Sequence, residues 1–393
     1  MKIIKIIIIM SFVFLLTGCF SYKEINDLAI VNAIGISKEN DMFKITIQIL
    51  NTKKPASVGG AENDSGDTTI FTGKGKTILE AIDKTSLKSP KTLYLSHLDL
   101  VIVDEEIAKK GLLEIIDFLA RDNISSKEFN ILITKDSPED VLKIITPLEI
   151  SVSTNIYKSI TTSEENIGYT KQTRYDKLLK MILEKGINPS IGGIKVKGDL
   201  KEGMDEDNLS TSKASSDVIL DGIAIFKSDK LVGWLNNKES STFNFITNNI
   251  KKTVINIPCN DNYIGIKVLD SNSNIRPNLN NNNLTITINI DIKASVNELN
   301  CNINLNKKEL VKLEKKINNS LKKDINDLLD ILKMEYKTDI IGFGNKVYKK
   351  YPTYFKKNKD KWDEEIFHNL KINIEIKTKL IDKGNIKSFK GGK

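Results

Sequence analysis

A chain of 393 residues is longer than one ordinary hydrophobic core needs, and this favours two or three domains. Its 40% hydrophobic and 28% charged residues are those of a folded globular protein, and a net charge of +8 is too mild for a nucleic-acid binder without a concentrated patch. Two histidines and three cysteines exclude a His-rich metal site, a zinc ribbon and a disulfide-dense scaffold.

Lys2 and Lys5 precede an apolar run from Ile6 to Leu16 that is interrupted only by Ser11. A helix needs roughly 20 residues to cross a bilayer core of about 30 Å, so this run is too short to span and reads as the apolar region of a secretory signal. It ends in Leu16-Thr17-Gly18-Cys19, which resembles a bacterial lipobox. A thiol is the group that can carry a diacylglyceryl thioether, and small neighbours let the signal peptidase reach the adjoining backbone. The expectation is removal of residues 1–18 and lipid attachment at Cys19, which places the chain outside the cytoplasmic membrane. That compartment disfavours nucleic acid and cytosolic nucleotides as partners. It also permits Cys259 and Cys301 to pair. Two free or partly buried thiols is the simpler reading.

From Leu28 to Leu50 the pattern is strand-like, with Phe43, Ile45, Ile47 and Ile49 alternating with polar residues, as in a hairpin half-buried on one face. Pro55, Gly59-Gly60 and Gly66 mark a mobile loop over 51–68. A helix is predicted from Ile78 to about Leu87, then a buried strand over 98–103. Asp104 is positioned to cap a helix bearing Ile107, Gly111, Ile115, Phe118 and Leu119 on one face. Another strand follows over 129–134, and Ser137-Pro138 opens a further helix. The stretch 169–185 reads as helical and stops at Gly186. Residues 198–216 are polar and rich in Ser, Thr and acids, and mark the main domain boundary.

The second half opens with strands over 218–226 and 231–235, and the Asn-laden stretch 271–283 reads as a loop. Leu284, Ile286, Ile288, Ile290 and Ile292 alternate with polar residues, which predicts an amphipathic strand in an antiparallel sheet with one covered face. Leu310, Leu313, Ile317, Leu321, Ile325, Leu328 and Leu332 recur at three and four, giving a long helix with a lysine-rich outer face. Leu370, Ile372, Ile374 and Ile376 form a closing strand.

No residue emerges as catalytic, and none as a metal ligand or a cofactor contact. Gly73-Lys74-Gly75-Lys76-Thr77 invites a phosphate-loop reading, but the motif needs a glycine where Ile70 stands, and a strand-to-helix turn is the better account. His97 precedes an apolar strand and His368 stands at a helix-to-strand junction; neither neighbours a nucleophile. Lys346, Lys349, Lys350, Lys356, Lys357, Lys359 and Lys361 are interleaved with Tyr348, Tyr351, Tyr354 and Phe355. Such a segment suits anionic headgroups, or a helix with a solvated lysine face and aromatics at core spacing.

Several segments together resemble one family, the spore germination Ger(x)C lipoproteins, the C subunits of nutrient germinant receptors. They are Glu24 to Ile36 after the lipobox, His97 through Ala108-Lys109-Lys110-Gly111, and Phe118 to Asp122. Further along are Gly222 to Phe226 with Lys230 to Leu235, and then Asp339-Ile340-Ile341-Gly342-Phe343-Gly344 with Tyr351-Pro352, Trp362 and Ile366-Phe367. Phe20, where the family usually has Trp, and the polar Ser240-Ser241-Thr242 are departures. The resemblance implies a multidomain α+β fold with mixed or antiparallel sheets, packed helices and an N-terminal lipid anchor. It places a signal peptide at 1–18, an N-terminal domain at 19–197, a linker at 198–216 and a C-terminal domain at 217–388, divisible near 260–283. It further implies a subunit without enzymatic activity, metal or cofactor, lipid-anchored at Cys19 on the outer face of the spore inner membrane. Its partners would be a multispanning A subunit and a transporter-like B subunit, with no nucleic acid. A solute-binding lipoprotein of a transporter and a peptidoglycan hydrolase are the rival readings; the first would show parallel, wholly apolar strands, the second a pocket with perturbed carboxylates. The residues between Gly342 and Trp362 read as structural, with Phe343 and Trp362 as buried anchors.

Overall fold

A computed structural model of the protein describes residues 27–51, 68–121, 127–146, 148–205, 208, 214–260, 262–301, 303 and 305–382. The signal segment, Cys19 and nearly all of the loop expected over 51–68 lie outside the described residues, as does part of 198–216.

β1 (Leu28–Glu39) and β2 (Met42–Leu50) form a hairpin. Its turn residues Asn40 and Asp41 both take positive φ, a conformation their short polar side chains tolerate. After β3 (Thr68–Gly75) the chain returns through α1 (Ile78–Ser86) to β4 (Thr92–Tyr94), which lies parallel to residues 28–30 at the start of β1. β5 (Leu100–Asp104) leads to α2 (Glu105–Lys110) and α3 (Leu113–Arg121). β6 (Asn130–Thr134) is followed by α4 (Pro138–Lys143), α5 (Val152–Asn166) and α6 (Tyr175–Leu183). β7 (Ser190–Gly198), the short α7 (Leu200–Gly203), β8 (Ser216–Lys227) and β9 (Lys230–Leu235) complete a sheet of nine strands.

The order is β3-β2-β1-β5-β6-β7-β8-β9, with β4 beside β1. β1, β5, β6 and β7 run parallel, so all four begin at one end of the sheet. β5 and β6 are buried on both faces. Val101, Val103, Ile131 and Ile133 pack towards α1, α2, α3 and α6, while Leu100, Ile102 and Leu132 pack towards α4 and α5. That explains their unbroken apolar runs.

Beyond α8 (Asn237–Ile246) the second sheet has the order β10-β11-β12-β13: β10 (Thr253–Cys259), β11 (Asn262–Asn280), β12 (Asn283–Leu299) and β13 (Lys371–Asp382). α9 (Lys307–Asp330) lies on one face, its Leu313, Ile317, Leu321 and Ile325 meeting the inward row Ile286, Ile288, Ile290 and Ile292. Each such buried side chain contributes about 1.5–3 kcal/mol. α9 runs on through a π turn, Ile331–Tyr336, and α10 (Phe343–Lys350) and α11 (Pro352–Asn358) pack beside it. The fold is α+β with mixed sheets.

Five local expectations are corrected. The stretch 271–283 is strand up to Asn280, because β12 supplies a paired partner for each residue and only Asn281-Asn282 remain as the turn. β12 and β13 are parallel rather than antiparallel, and parallel strands also occur in the first sheet. The helix expected after Asp104 is two helices, broken where Gly111 takes φ +130° and the Leu112 N–H bonds to Asp229 O. Residues 152–166, too polar to show a helical stripe, form α5, and α6 covers only 175–183 of the segment expected as helix. Cys259 and Cys301 are joined as a disulfide, with Cα atoms 6.4 Å apart. Sheet pairing brings together two residues 42 positions apart, which spacing alone did not reveal.

The β8–β9 hairpin lies beyond the segment 198–216 and is hydrogen-bonded into the first sheet. The second sheet is therefore fastened to an element that is itself part of the first.

Candidate functional site at the joint between the sheets

Asp339 follows the π turn that ends α9, and its side chain is fully buried. One carboxylate oxygen accepts the N–H groups of Gly342 at 2.8 Å and Phe343 at 3.2 Å; the other accepts Gly344 N–H at 2.8 Å and Trp362 Nε1–H at 3.0 Å. The loop geometry that aims three successive N–H groups at one carboxylate starts at Gly342, whose φ of +84° opposes any side chain. The result is a carboxylate-capped start to α10, with the indole closing the ring.

The same residues hold the first sheet. Asn188, just ahead of β7, donates its backbone N–H to Asp339 O at 2.9 Å and its side-chain amide to Asp363 at 3.0 Å. Its own side-chain oxygen accepts from Ser228 in the β8–β9 turn at 2.9 Å. Asp363 also accepts the Asp339 N–H, and Thr338 donates its hydroxyl to Phe226 O. Gly186 O accepts the Asn345 N–H at 2.6 Å, and a Cβ on Gly344 would stand 2.8 Å from that carbonyl and 2.7 Å from the Trp362 ring. Glycine is required there because two backbones and an indole meet. An ion pair between Lys227 and Glu364 closes the rim.

Burial pushes the Asp339 carboxyl up to about 6, against the pull of the Gly344, Trp362 and Gly342 donors. Every donor aimed at it is an N–H that favours the ionised form, but burial outweighs them, and the carboxyl ionises only above about 6. Beside the joint, a cleft of about 410 Å³ is lined by Lys135, Trp234, Glu239 and Tyr336 among others. Lys135 stands 4.6 Å from the Trp234 ring centroid, Trp234 donates to Glu105, and Glu239 closes a capping box with Asn236.

The other residues singled out from the sequence lie apart from the joint. Lys76 N–H, which a bound phosphate would need, is held by Glu80 at 2.7 Å, and Thr77 caps α1. His97 is exposed beside Tyr94, and His368 Nδ1 lies 3.1 Å from Lys333 O in the last turns after α9. Phe343, Phe355 and Trp362 are buried, and the lysines from 346 to 361 are exposed. Among the described residues no group of three or more His, Cys, Asp or Glu is placed to hold a metal ion. The partners Gly186, Asn188 and Asp363 were not foreseen. The sequence signal that pointed to the joint was Asp339 with Gly342 and Gly344 at offsets of three and five.

Two covered sheets fastened through a buried carboxylate define a two-part α+β subunit; among the described residues no helix is long and apolar enough to cross a membrane. Residues 21–196 match the family described as Spore germination protein N-terminal domain, and residues 221–384 match the one described as Spore germination B3/GerAC like, C-terminal. The chain belongs to the Ger(x)C family of spore germination proteins, the family of germinant receptor C subunits. It is similar to spore germination protein KC of Bacillus subtilis strain 168, 29% identical over 386 residues, 96% of this chain and 95% of that protein. Spore germination protein B3 of the same organism is 26% identical over 377 residues, 94% and 95% of the two chains. The crystal structure of the GerBC protein shares the fold with a TM-score of 0.55 at 22% identity, covering 88% of this chain and 96% of that one.

Trp362→Ala removes a buried indole and one of the four donors, and is expected to cost about 3–5 kcal/mol in denaturant unfolding. Replacing the exposed Lys356 and Lys357 by Ser is expected to change stability by no more than about 0.5 kcal/mol. Asp339 supplies a pH dependence. Its folded value of about 6 exceeds the ordinary 3.8, so the folded chain holds this proton more tightly. Its contribution to stability therefore falls as pH rises from about 4 to about 6 and is constant above. The stability difference between the native protein and Asp339→Asn, measured by urea midpoints across that range, should fall with pH and then level off.

Proposed function

We propose that this chain is the lipid-anchored C subunit of a spore nutrient germinant receptor. Cys19 holds it on the outer face of the spore inner membrane, and it works there in receptor assembly and signalling with a multispanning A subunit and a transporter-like B subunit. The observation that carries the reading is the pair of family matches in order, over residues 21–196 and 221–384. The names of the relatives, spore germination proteins KC and B3, agree with it. The lipobox supports the anchor, since a diacylglyceryl group supplies the two chains that stable attachment needs. In this reading the subunit does no chemistry on substrate. The geometry at Asp339 fixes how the two sheets face one another, so that contacts on one are registered by the other.

Cys19→Ala is expected to move the protein out of the membrane fraction or leave it as an unprocessed precursor; a processed mutant still fully in membranes would refute the anchor. Deleting the chain, in spores without redundant receptors, should abolish germination to one nutrient class while germination by nutrient-independent triggers persists. Normal responses to all nutrients would contradict the receptor reading, and failure with every trigger would favour a hydrolase acting on the cortex.

A further inference from the structure

Between Gly342 and Lys361 there are seven lysines and a single acid, Asp360. All seven are exposed, while the apolar side chains among them, Phe343, Val347 and Phe355, are buried. Lys349 is within 3.6 Å of Glu184, and Lys361 within 3.1 Å of Glu365. Lys359 lies 3.9 Å from Asp360, and Lys350 bonds to Pro277 O at 2.9 Å. Lys346, Lys356 and Lys357 have no acidic partner within ion-pair distance among the described residues. Three of the seven lysines are thus paired with acids, and the face keeps a net positive charge carried by Lys346, Lys350, Lys356 and Lys357.

Its place in the fold gives that charge a direction. α10 is tied through Asn345 to Gly186 and Lys185, four and five residues before β7 begins. β7 begins at the same end of the sheet as β1, three strand spacings away, or roughly 15 Å. Asp27, at the head of β1, is eight residues from Cys19, a reach of at most about 28 Å. At the same end Leu87, 86% exposed, and Lys88 and Lys91 precede β4, which pairs with the start of β1. A bilayer holding Cys19 thus lies within reach of the lysine face.

We propose that the α10–α11 pair is a docking face for the anionic headgroups of the bilayer that holds Cys19, so that the chain meets the membrane at two points and is oriented on it. The proposal rests on the anchor reading above. One lipid tether leaves a protein free to swivel; a second, electrostatic contact removes that freedom, and salt weakens it.

The test uses the full-length lipidated protein on vesicles carrying a headgroup nitroxide. Lys356→Cys offers the one free thiol beyond the acylated Cys19 and the Cys259–Cys301 disulfide, and is labelled with a fluorophore. Met42→Cys is the control, beside the far end of the 12-residue β1 and roughly 40 Å from the end of the sheet where β1 begins. With roughly 30% phosphatidylglycerol the label at 356 should be quenched and that at 42 should not. About 0.5 M salt should release the quenching while the protein still floats with the vesicles. Lys346→Ser, Lys350→Ser and Lys357→Ser together should weaken the quenching by at least about fivefold. No quenching at 356 on floating vesicles would overturn the docking face and leave the anchor standing. Protein absent from vesicles of every composition would overturn both. Quenching equal on neutral vesicles and indifferent to salt would refute the role of the lysines. Protection of the label only with a co-reconstituted membrane protein would assign the face to that protein instead.

Discussion

A carboxylate with no water around it must be satisfied by the protein, and Asp339 is satisfied by four N–H groups drawn from the loop that opens α10 and from Trp362. That requirement shapes everything near it. It sets the backbone of the Gly342–Gly344 loop, holds the indole in its place, and leaves the Asp339 carbonyl to receive Asn188 from the first sheet. Losing any one donor would leave a buried charge short of partners, so the loop, the indole and the neighbouring strand ends are held as one unit.

The two sheets differ in how they are covered. The first carries helices on both faces and two apolar cores, and its central strands have no exposed surface to offer. The second is covered on one face by α9 and leaves the other face of its long β11–β12 hairpin polar. The two are fastened at the Asp339 joint and again where Asn244 donates to Gly168 O and Thr170 O and Thr253 donates to Ile167 O. The β8–β9 hairpin belongs to the first sheet by hydrogen bonding and to the joint by Phe226 and Ser228. It is one of the links between them.

Residues from 342 to 361 show how a single segment serves two ends. Its aromatics, at spacings of three and four, turn inward onto Trp362 and Phe367, with Phe355 and Trp362 rings 5.3 Å apart. Its lysines are thereby forced outward, since neighbouring positions on a helix cannot share a face. The packing that anchors the joint is what displays the charge.

Local periodicity was enough to read the sequence for the β1–β2 hairpin, α1, the alternating core row of β12, the long α9 and the inward aromatics at 343 and 362, because each writes its own buried face into a short window. What needed the tertiary structure was pairing at a distance. The Asn-rich 271–280 is strand only because β12 lies beside it, α5 is helical with little amphipathic pattern of its own, and Cys259 at the end of β10 reaches Cys301 after β12 across the one strand between them, β11. Asp339 was visible as a residue before a glycine loop. That its carboxylate is buried, and that Asn188 and Gly186 complete its surroundings, was decided by the meeting of segments some 150 residues apart in the chain, which no local pattern encodes.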